Sequence, residues 1–289
     1  GEAPNDFLKC LQPKLAVWLD WFRRTQKGHA LYSYRWSGRV VTEGISHTLS
    51  SGLDDYPRSN MTNTLRDRHV DLLSWVATML RIMDKIEKAL GQKPTPASGY
   101  GAGWEALVKH AEAIHWDKDT NMYADRGLQF YPSGRQEEGF VEHFGYISLF
   151  PFLLGMAPKG NQSEAVISIM ADAAHLRSKA GLRSLSKTSP RGGKDSVYGT
   201  QEDYWRGKVW ICINYLALKA LKTMYAGGSK QGEELYEGLR AAIVDNMVSQ
   251  YARKGFIFEQ YDDKSGEGLK HKPFAGWSAL VLLIMAEVY

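Results

Sequence analysis

The stretch TLRDRHVDLLSWVATMLRIMDKIEKAL, Thr64 to Leu90, carries Leu72, Val76, Met79, Met83, Ile86 and Leu90 at alternating steps of four and three residues. That spacing keeps one apolar stripe on a helix of 3.6 residues per turn and leaves a polar face opposite it. Asn63 or Thr64 stands where an N-cap belongs, and Gly91 where a helix stops. One long amphipathic helix is therefore expected over residues 63–90. The same reading places further helices near residues 7–25, 103–114, 142–155, 163–176, 204–225, 233–253 and 273–289. Strand signal is thin: HWDKDTNMYADR, His115 to Arg126, reads as a short turn-linked hairpin, and YSYRWSGRVV, Tyr32 to Val41, as a second. The class is all-α with small β-hairpin excursions.

The helices differ in how much of their circumference is apolar. Residues 204–225 and 273–289 are apolar around most of theirs, whereas residues 63–90 keep a distinct polar face. Alternation of buried and half-exposed helices suits an (α/α) toroid of the six-hairpin type, with loops at the inner-helix ends holding a site. A simple bundle gives a similar pattern. The Gly/Pro/Ser cluster from Lys93 to Gly103 and the loop from Lys187 to Gly199 read as connections inside one domain spanning residues 1–289.

The net charge is +4, with Lys and Arg scattered among acids and no sustained basic stripe, which argues against nucleic-acid binding. There is no run of eighteen apolar residues and no signal-peptide pattern, so the chain reads as soluble. Cys10 and Cys212 lie far apart, without C-x-x-C or zinc-ligand spacing, and nothing calls for a metal or an organic cofactor. Asn60-Met61-Thr62 and Asn161-Gln162-Ser163 are N-glycan acceptor triplets and point weakly to a secretory lumen. Nine Trp and fifteen Tyr are a heavy aromatic load, suited to a large core or to stacking on sugar rings.

Three segments carry the chemistry. In SSGLDDYPR, Ser50 to Arg58, Gly52 and Pro57 bracket Asp54 and Asp55, a loop able to hold a carboxyl rigidly, or equally to form an Asx-turn or helix cap. In FIFEQYDDKSGEG, Phe256 to Gly268, Glu259 stands among Phe256, Phe258 and Tyr261, so a tyrosine hydroxyl can aim it as a base; an edge-strand Glu facing solvent fits the spacing too. DYWRGKVW, Asp203 to Trp210, brings Tyr204, Trp205, Arg206 and Trp210 to a helix start, suiting either a sugar subsite or a core Trp with a surface Arg. Two carboxyl groups framed by aromatics are what glycoside hydrolysis needs.

In order along nearly the whole chain, SGLDDYPR, RDRHVDLLSW, GYISLFPFLL, GLRSLS, YWRGKVWICINYLALKAL, FEQYDDKSGEG and PFAGWSALVLLIMAEVY resemble the C-terminal catalytic region of glycoside hydrolase family 63, the processing α-glucosidases. The resemblance implies an inverting exo-α-1,2-glucosidase that removes the terminal glucose from the glucosylated N-linked oligosaccharide precursor in the endoplasmic reticulum lumen. It implies Asp54 as general acid and Glu259 as general base. The family motif Glu-Arg-His-x-Asp-Leu-x-x-Trp, tied to substrate binding, falls on Arg68, His69, Asp71, Leu72 and Trp75, with Asp67 in place of its leading Glu. Full-length members carry an N-terminal membrane anchor and a β-sandwich domain. A six-hairpin toroid has twelve helices where eight are counted here, so the expectation is a C-terminal fragment whose toroid lacks helices on its N-terminal side.

With inversion, Asp54 and Glu259 belong on loops at one end, their carboxyl groups roughly 6.5 to 9.5 Å apart to admit a water. Trp36, Trp205, Trp210 and Trp277 are candidate subsite walls, and Arg58 and Arg206 candidates for binding hydroxyls and orienting the acids. Asp55, Tyr56, Asp67, His69, Asp71, Tyr204, Tyr261 and Phe274 complete the expected substrate-binding set. On one continuous helix His69 and Asp71 point about 160° apart, so one faces the cavity and the other a neighbouring helix or solvent. The rivals are a trehalase-like inverting enzyme acting on a small sugar, and a helical fragment that binds glycans without cleaving them.

Overall fold

A computed structural model describes residues 2–37, 49–58, 66–93, 99–130, 134, 136–189 and 203–289. Among them are helices α1 (Glu2–Thr25), α2 (Val70–Ala89), α3 (Tyr100–Ile114), α4 (Tyr146–Leu153), α5 (Asn161–Ala171), α6 (Ile211–Lys219), α7 (Lys230–Lys254) and α8 (Val281–Met285). Each falls on a segment whose apolar period predicted it. The apolar stripe of α2 buries Leu72, Leu73, Val76, Leu80, Met83 and Ile86 against α1 and α3, in a core that also takes in Leu19 and Leu107. A second, larger core gathers Tyr146, Phe152, Val166, Leu182, Trp210, Leu239 and Ile243 from α4 to α7 and the hairpins between them.

Helix starts differ from the sequence expectation, and the reason is tertiary hydrogen bonding. Residues 63–65 lie outside the described residues, and 67–69 run extended beside the next hairpin. Arg68 and Arg126 exchange backbone hydrogen bonds of 2.8 and 3.0 Å, His69 N–H donates to Tyr34 O at 2.8 Å, and the Asp125 carboxylate accepts the Val70 N–H at 2.8 Å. A remote carboxylate thus caps α2 and fixes its first turn at Val70. Residues 204–207 bend and 209–210 run extended: Val209 and Tyr261 exchange N–H···O bonds of 2.8 and 3.0 Å, delaying α6 to Ile211. The α6 segment closes in a π turn at Ala220–Met224, and the last helix is a 3₁₀ turn, Trp277–Leu280, running into α8.

The hairpin expected at 115–126 is present as β1 (Trp116–Asp117) and β2 (Met122–Tyr123). That expected at 32–41 is seen only as a bridge between Lys27 and Tyr34, its far half lying outside the described residues. Three hairpins carried no clear sequence signal: β3 (Arg126–Phe130) with β4 (Gln136–Phe140), β5 (Arg177–Ser178) with β6 (Gly181–Leu182), and β7 (Gln260–Tyr261) with β8 (Gly268–Leu269). Cys10 and Cys212 are free thiols. Asn161 is exposed at the first position of α5, and Asn60 lies outside the described residues. Among the described residues no helix is long and apolar enough to cross a membrane.

Candidate active site

The 53–58 loop turns on Gly52, whose φ of 75° lies in the left-handed region that a side chain disfavours. Leu53 and Tyr56 are buried beneath it and Asp54 is half-buried. The Tyr56 hydroxyl donates to His143 O at 2.7 Å, and Gly145 has no room for a side chain because a Cβ there would strike Ser184 O and the Tyr56 hydroxyl. Behind the loop, Arg58 is held in a buried cluster. Its Nη2 donates to Asp71 Oδ2 at 2.5 Å, and its Nη1 to Asp71 Oδ1 and Asp125 Oδ2, each at 3.0 Å. One guanidinium faces two acids, so the cluster favours keeping a proton. Burial and the neighbouring Asp71 outweigh Arg58 and push the Asp125 carboxyl up to about 7.

Asp71 also accepts the Trp36 indole N–H at 3.0 Å. His69 Nδ1 accepts the Trp36 backbone N–H at 2.8 Å, which places the neutral ring's proton on Nε2. Burial, reinforced by Arg58, holds the His69 imidazole well below its ordinary range.

The 203–210 segment crosses the front of this loop. Asp55 is buried, and its Oδ2 and Oδ1 accept the backbone N–H groups of Tyr204 and Trp205 at 2.7 and 2.6 Å. Arg206 Nε donates to Asp55 O at 2.9 Å. Trp205 stacks on Trp210 with ring centroids 3.6 Å apart and planes within 6°, and Tyr204 meets Trp210 edge-on at 4.7 Å. The turn enters through Asp203 at φ 50°, a left-handed conformation that costs about 1–2 kcal/mol outside glycine.

Glu259 completes the group. Its Oε1 accepts the Tyr204 hydroxyl, its backbone O accepts the Trp277 indole N–H at 2.7 Å, and its Oε2 lies 3.4 Å from the donating His271 N–H. The His271 ring reaches to 3.9 Å of the same oxygen. Gly268 lets the β7–β8 hairpin close, because a Cβ there would penetrate the Phe258 ring. The Asp54–Asp55 loop and Glu259 therefore border one residue, Tyr204, bonded to the first through its backbone and to the second through its hydroxyl.

Other residues expected to touch sugar lie elsewhere. Tyr56, Arg58, Asp67, His69, Asp71 and Trp210 are at most 1% exposed, and Trp36 and Trp205 are buried as well. These eight are interior: Tyr56, Trp205 and Trp210 belong to one apolar core and Trp36 to the other, while Trp36 donates to His69 and Asp71, and Arg58 to Asp71. The opposed placement of His69 and Asp71 fails because His69 precedes the helix in extended conformation, at φ −100° and ψ 116°. Tyr261 does not aim Glu259: its hydroxyl accepts the Phe258 N–H at 3.2 Å, and Tyr204 holds the carboxylate instead. Asp54, Tyr204, Arg206, Phe274 and Trp277 are partly open to solvent. Sequence reasoning missed Asp125 and His271. The DDKSGEG turn was the only signal for His271, since a hairpin there folds residue 271 back onto 259. Among the described residues no cluster of His, Cys, Asp and Glu could hold a metal ion.

Residues 2–287 match the glycosyl hydrolase family 63 C-terminal domain. The chain belongs to glycoside hydrolase family 63. The family 63 chain is 36% identical to the Schizosaccharomyces pombe protein named "Probable mannosyl-oligosaccharide glucosidase", over 100% of this chain and 36% of that one. It is 32% identical to the mannosyl-oligosaccharide glucosidase of Saccharomyces cerevisiae, over 98% of this chain and 35% of that one. It spans about a third of the length of the curated relatives it matches. A solved structure of the GH63 mannosylglycerate hydrolase from Thermus thermophilus in complex with glucose is similar in fold. The TM-score is 0.53 at 19% identity, over 76% of this chain and 48% of that one.

Proposed function

We propose that this domain is the catalytic domain of a mannosyl-oligosaccharide glucosidase, an inverting enzyme that removes the terminal α-1,2-linked glucose from the glucosylated N-glycan precursor. Family membership and the names of the curated relatives support the substrate class. The observation that carries the mechanism is the shared neighbour, Tyr204, which joins the loop of Asp54 to Glu259. Asp54 is the general acid that protonates the glycosidic oxygen, and Glu259 the general base that takes a proton from the attacking water on the opposite face of the ring. An inverting mechanism calls for roughly 6.5 to 9.5 Å between the two carboxyl groups, room for that water. Trp277, Phe274 and Arg206 supply apolar and donor contacts at the open rim. The helices form an (α/α) toroid or its C-terminal part. The whole protein acts in the endoplasmic reticulum lumen, tethered to the membrane and carrying a β-sandwich domain before this one.

The test is turnover of a triglucosylated oligosaccharide by the parent and by two isosteric variants. Asp54→Asn removes the transferable proton and Glu259→Gln removes the base, and neither opens a cavity. Each lowers kcat by at least about 100-fold while leaving the thermal midpoint nearly unchanged. A substrate with an activated leaving group restores Asp54→Asn in part and Glu259→Gln not at all. Equal rescue of both, or full turnover by either, refutes the assignment. A parent that binds the glycan and returns it intact refutes the enzyme reading.

A further inference from the structure

We propose that Asp55 is a positioning residue for the base: its carboxylate fixes the Tyr204–Trp205 backbone so that the Tyr204 hydroxyl holds Glu259 in register with its neighbour Asp54. The proposal rests on the reading of Glu259 as the base. Asp55 is 0% exposed, and both its oxygens are engaged by backbone N–H groups 149 and 150 residues away along the chain, so it offers nothing to a sugar. What it holds is short and strained. Asp203 enters at φ 50°, and residues 204 and 205 follow with both amides locked onto one carboxylate.

The tyrosine side chain is then constrained on its remaining sides. Trp210, itself stacked on Trp205, stands edge-on to the Tyr204 ring at 4.7 Å, and the Lys270 ammonium lies over the ring at 5.3 Å. A phenol fixed at its backbone and ring places its hydroxyl at one point, and Glu259 Oε1 accepts the hydrogen bond donated from there. Asp54 is the residue bonded directly to Asp55 in the chain. The carboxylate next to the acid in the chain therefore sets the base through Tyr204. Release of that tether lets Glu259 drift from the water it activates, and a misplacement of about 1 Å costs roughly 100-fold in rate.

The experiment is a double-mutant cycle on the full chain with Asp55→Asn, Tyr204→Phe and the double variant, read as kcat and KM. Backbone amide exchange at residues 204 and 205 is followed on the same samples. Each single variant lowers kcat tenfold or more with KM within threefold. The double variant is within threefold of the slower single one, because both remove the same constraint. Amide exchange quickens at least tenfold in Asp55→Asn and stays at the parent rate in Tyr204→Phe. An activated leaving group restores neither.

Multiplicative losses overturn the proposal, as does rescue of Asp55→Asn by the activated substrate, which would mean that Asp55 acts on the acid alone. Unchanged exchange in Asp55→Asn overturns it too. Should Asp55→Asn fail to fold, Tyr204→Phe decides, and a kcat within threefold of the parent overturns the proposal. A parent that releases no sugar overturns the reading of Glu259 itself, and the exchange measurement separates that failure from a failure of the tether.

Discussion

Arg58→Met replaces a buried guanidinium with an apolar side chain of similar length, so the loss it causes is electrostatic rather than a cavity. Three hydrogen bonds disappear, those at 2.5 and 3.0 Å to Asp71 and at 3.0 Å to Asp125. Two acids, each nearly fully buried, are left facing each other without a cation. Breaking such a cluster from one side costs about 3–5 kcal/mol, against a total stability of about 5–15 kcal/mol. The thermal midpoint should fall by roughly 5–8 °C.

The loss depends on pH in a direction fixed by linkage. With Arg58 in place, Asp125 holds its proton up to about 7 when folded, and an unfolded Asp releases it near 3.9. The folded state therefore binds more protons between those values, and stability falls as pH rises across that window. Without Arg58 the Asp125 carboxyl retains its proton to still higher pH, and the slope steepens. Urea unfolding at pH 5 and pH 8 should show a smaller penalty for the variant at pH 5. A penalty under about 1 kcal/mol, or one as large at pH 5 as at pH 8, refutes the reasoning.

Gly145→Ala forces a Cβ against Ser184 O and the Tyr56 hydroxyl, and should destabilise by about 1–3 kcal/mol with loss of turnover through the 53–58 loop. Full activity with an unchanged melt would show that the loop does not depend on this contact. Trp210→Ala removes a ring with no exposure and should cost about 3–5 kcal/mol, seen as a large shift in the urea midpoint. A raised KM with unaltered stability would return Trp210 to the subsite wall. His69 should remain neutral, with its proton on Nε2, at pH 6 and above, because burial and Arg58 hold its pKa down. An imidazolium signal at pH 6 in nitrogen-resolved NMR would contradict this.

The helical class was legible because each apolar stripe follows from local spacing alone: α2, α3, α5 and α7 lie where the period put them. Helix starts were not legible, since Val70 and Ile211 are set by partners distant in sequence, Asp125 for the first and Tyr261 for the second. The acid-bearing turn and the aromatic-framed Glu could be found as segments. Their meeting could not, because it depends on Tyr204 N–H and O–H pointing to two elements more than fifty residues away on either side. Burial was the hardest property to read. A charged motif such as Arg68-His69-Val70-Asp71 looks like a binding surface in sequence, yet His69 and Asp71 are interior, where Trp36 donates to both and Arg58 to Asp71.

The central claim is a two-carboxylate site at which one water attacks the anomeric carbon once, from the face opposite the leaving group. Proton NMR of a triglucosylated oligosaccharide in the first minutes of turnover, before mutarotation, reads this directly. The account predicts that the released glucose appears as the β-anomer, and that Asp54→Asn and Glu259→Gln both suppress its appearance. Glucose appearing first as the α-anomer would contradict it, since that outcome requires a covalent intermediate and two successive displacements.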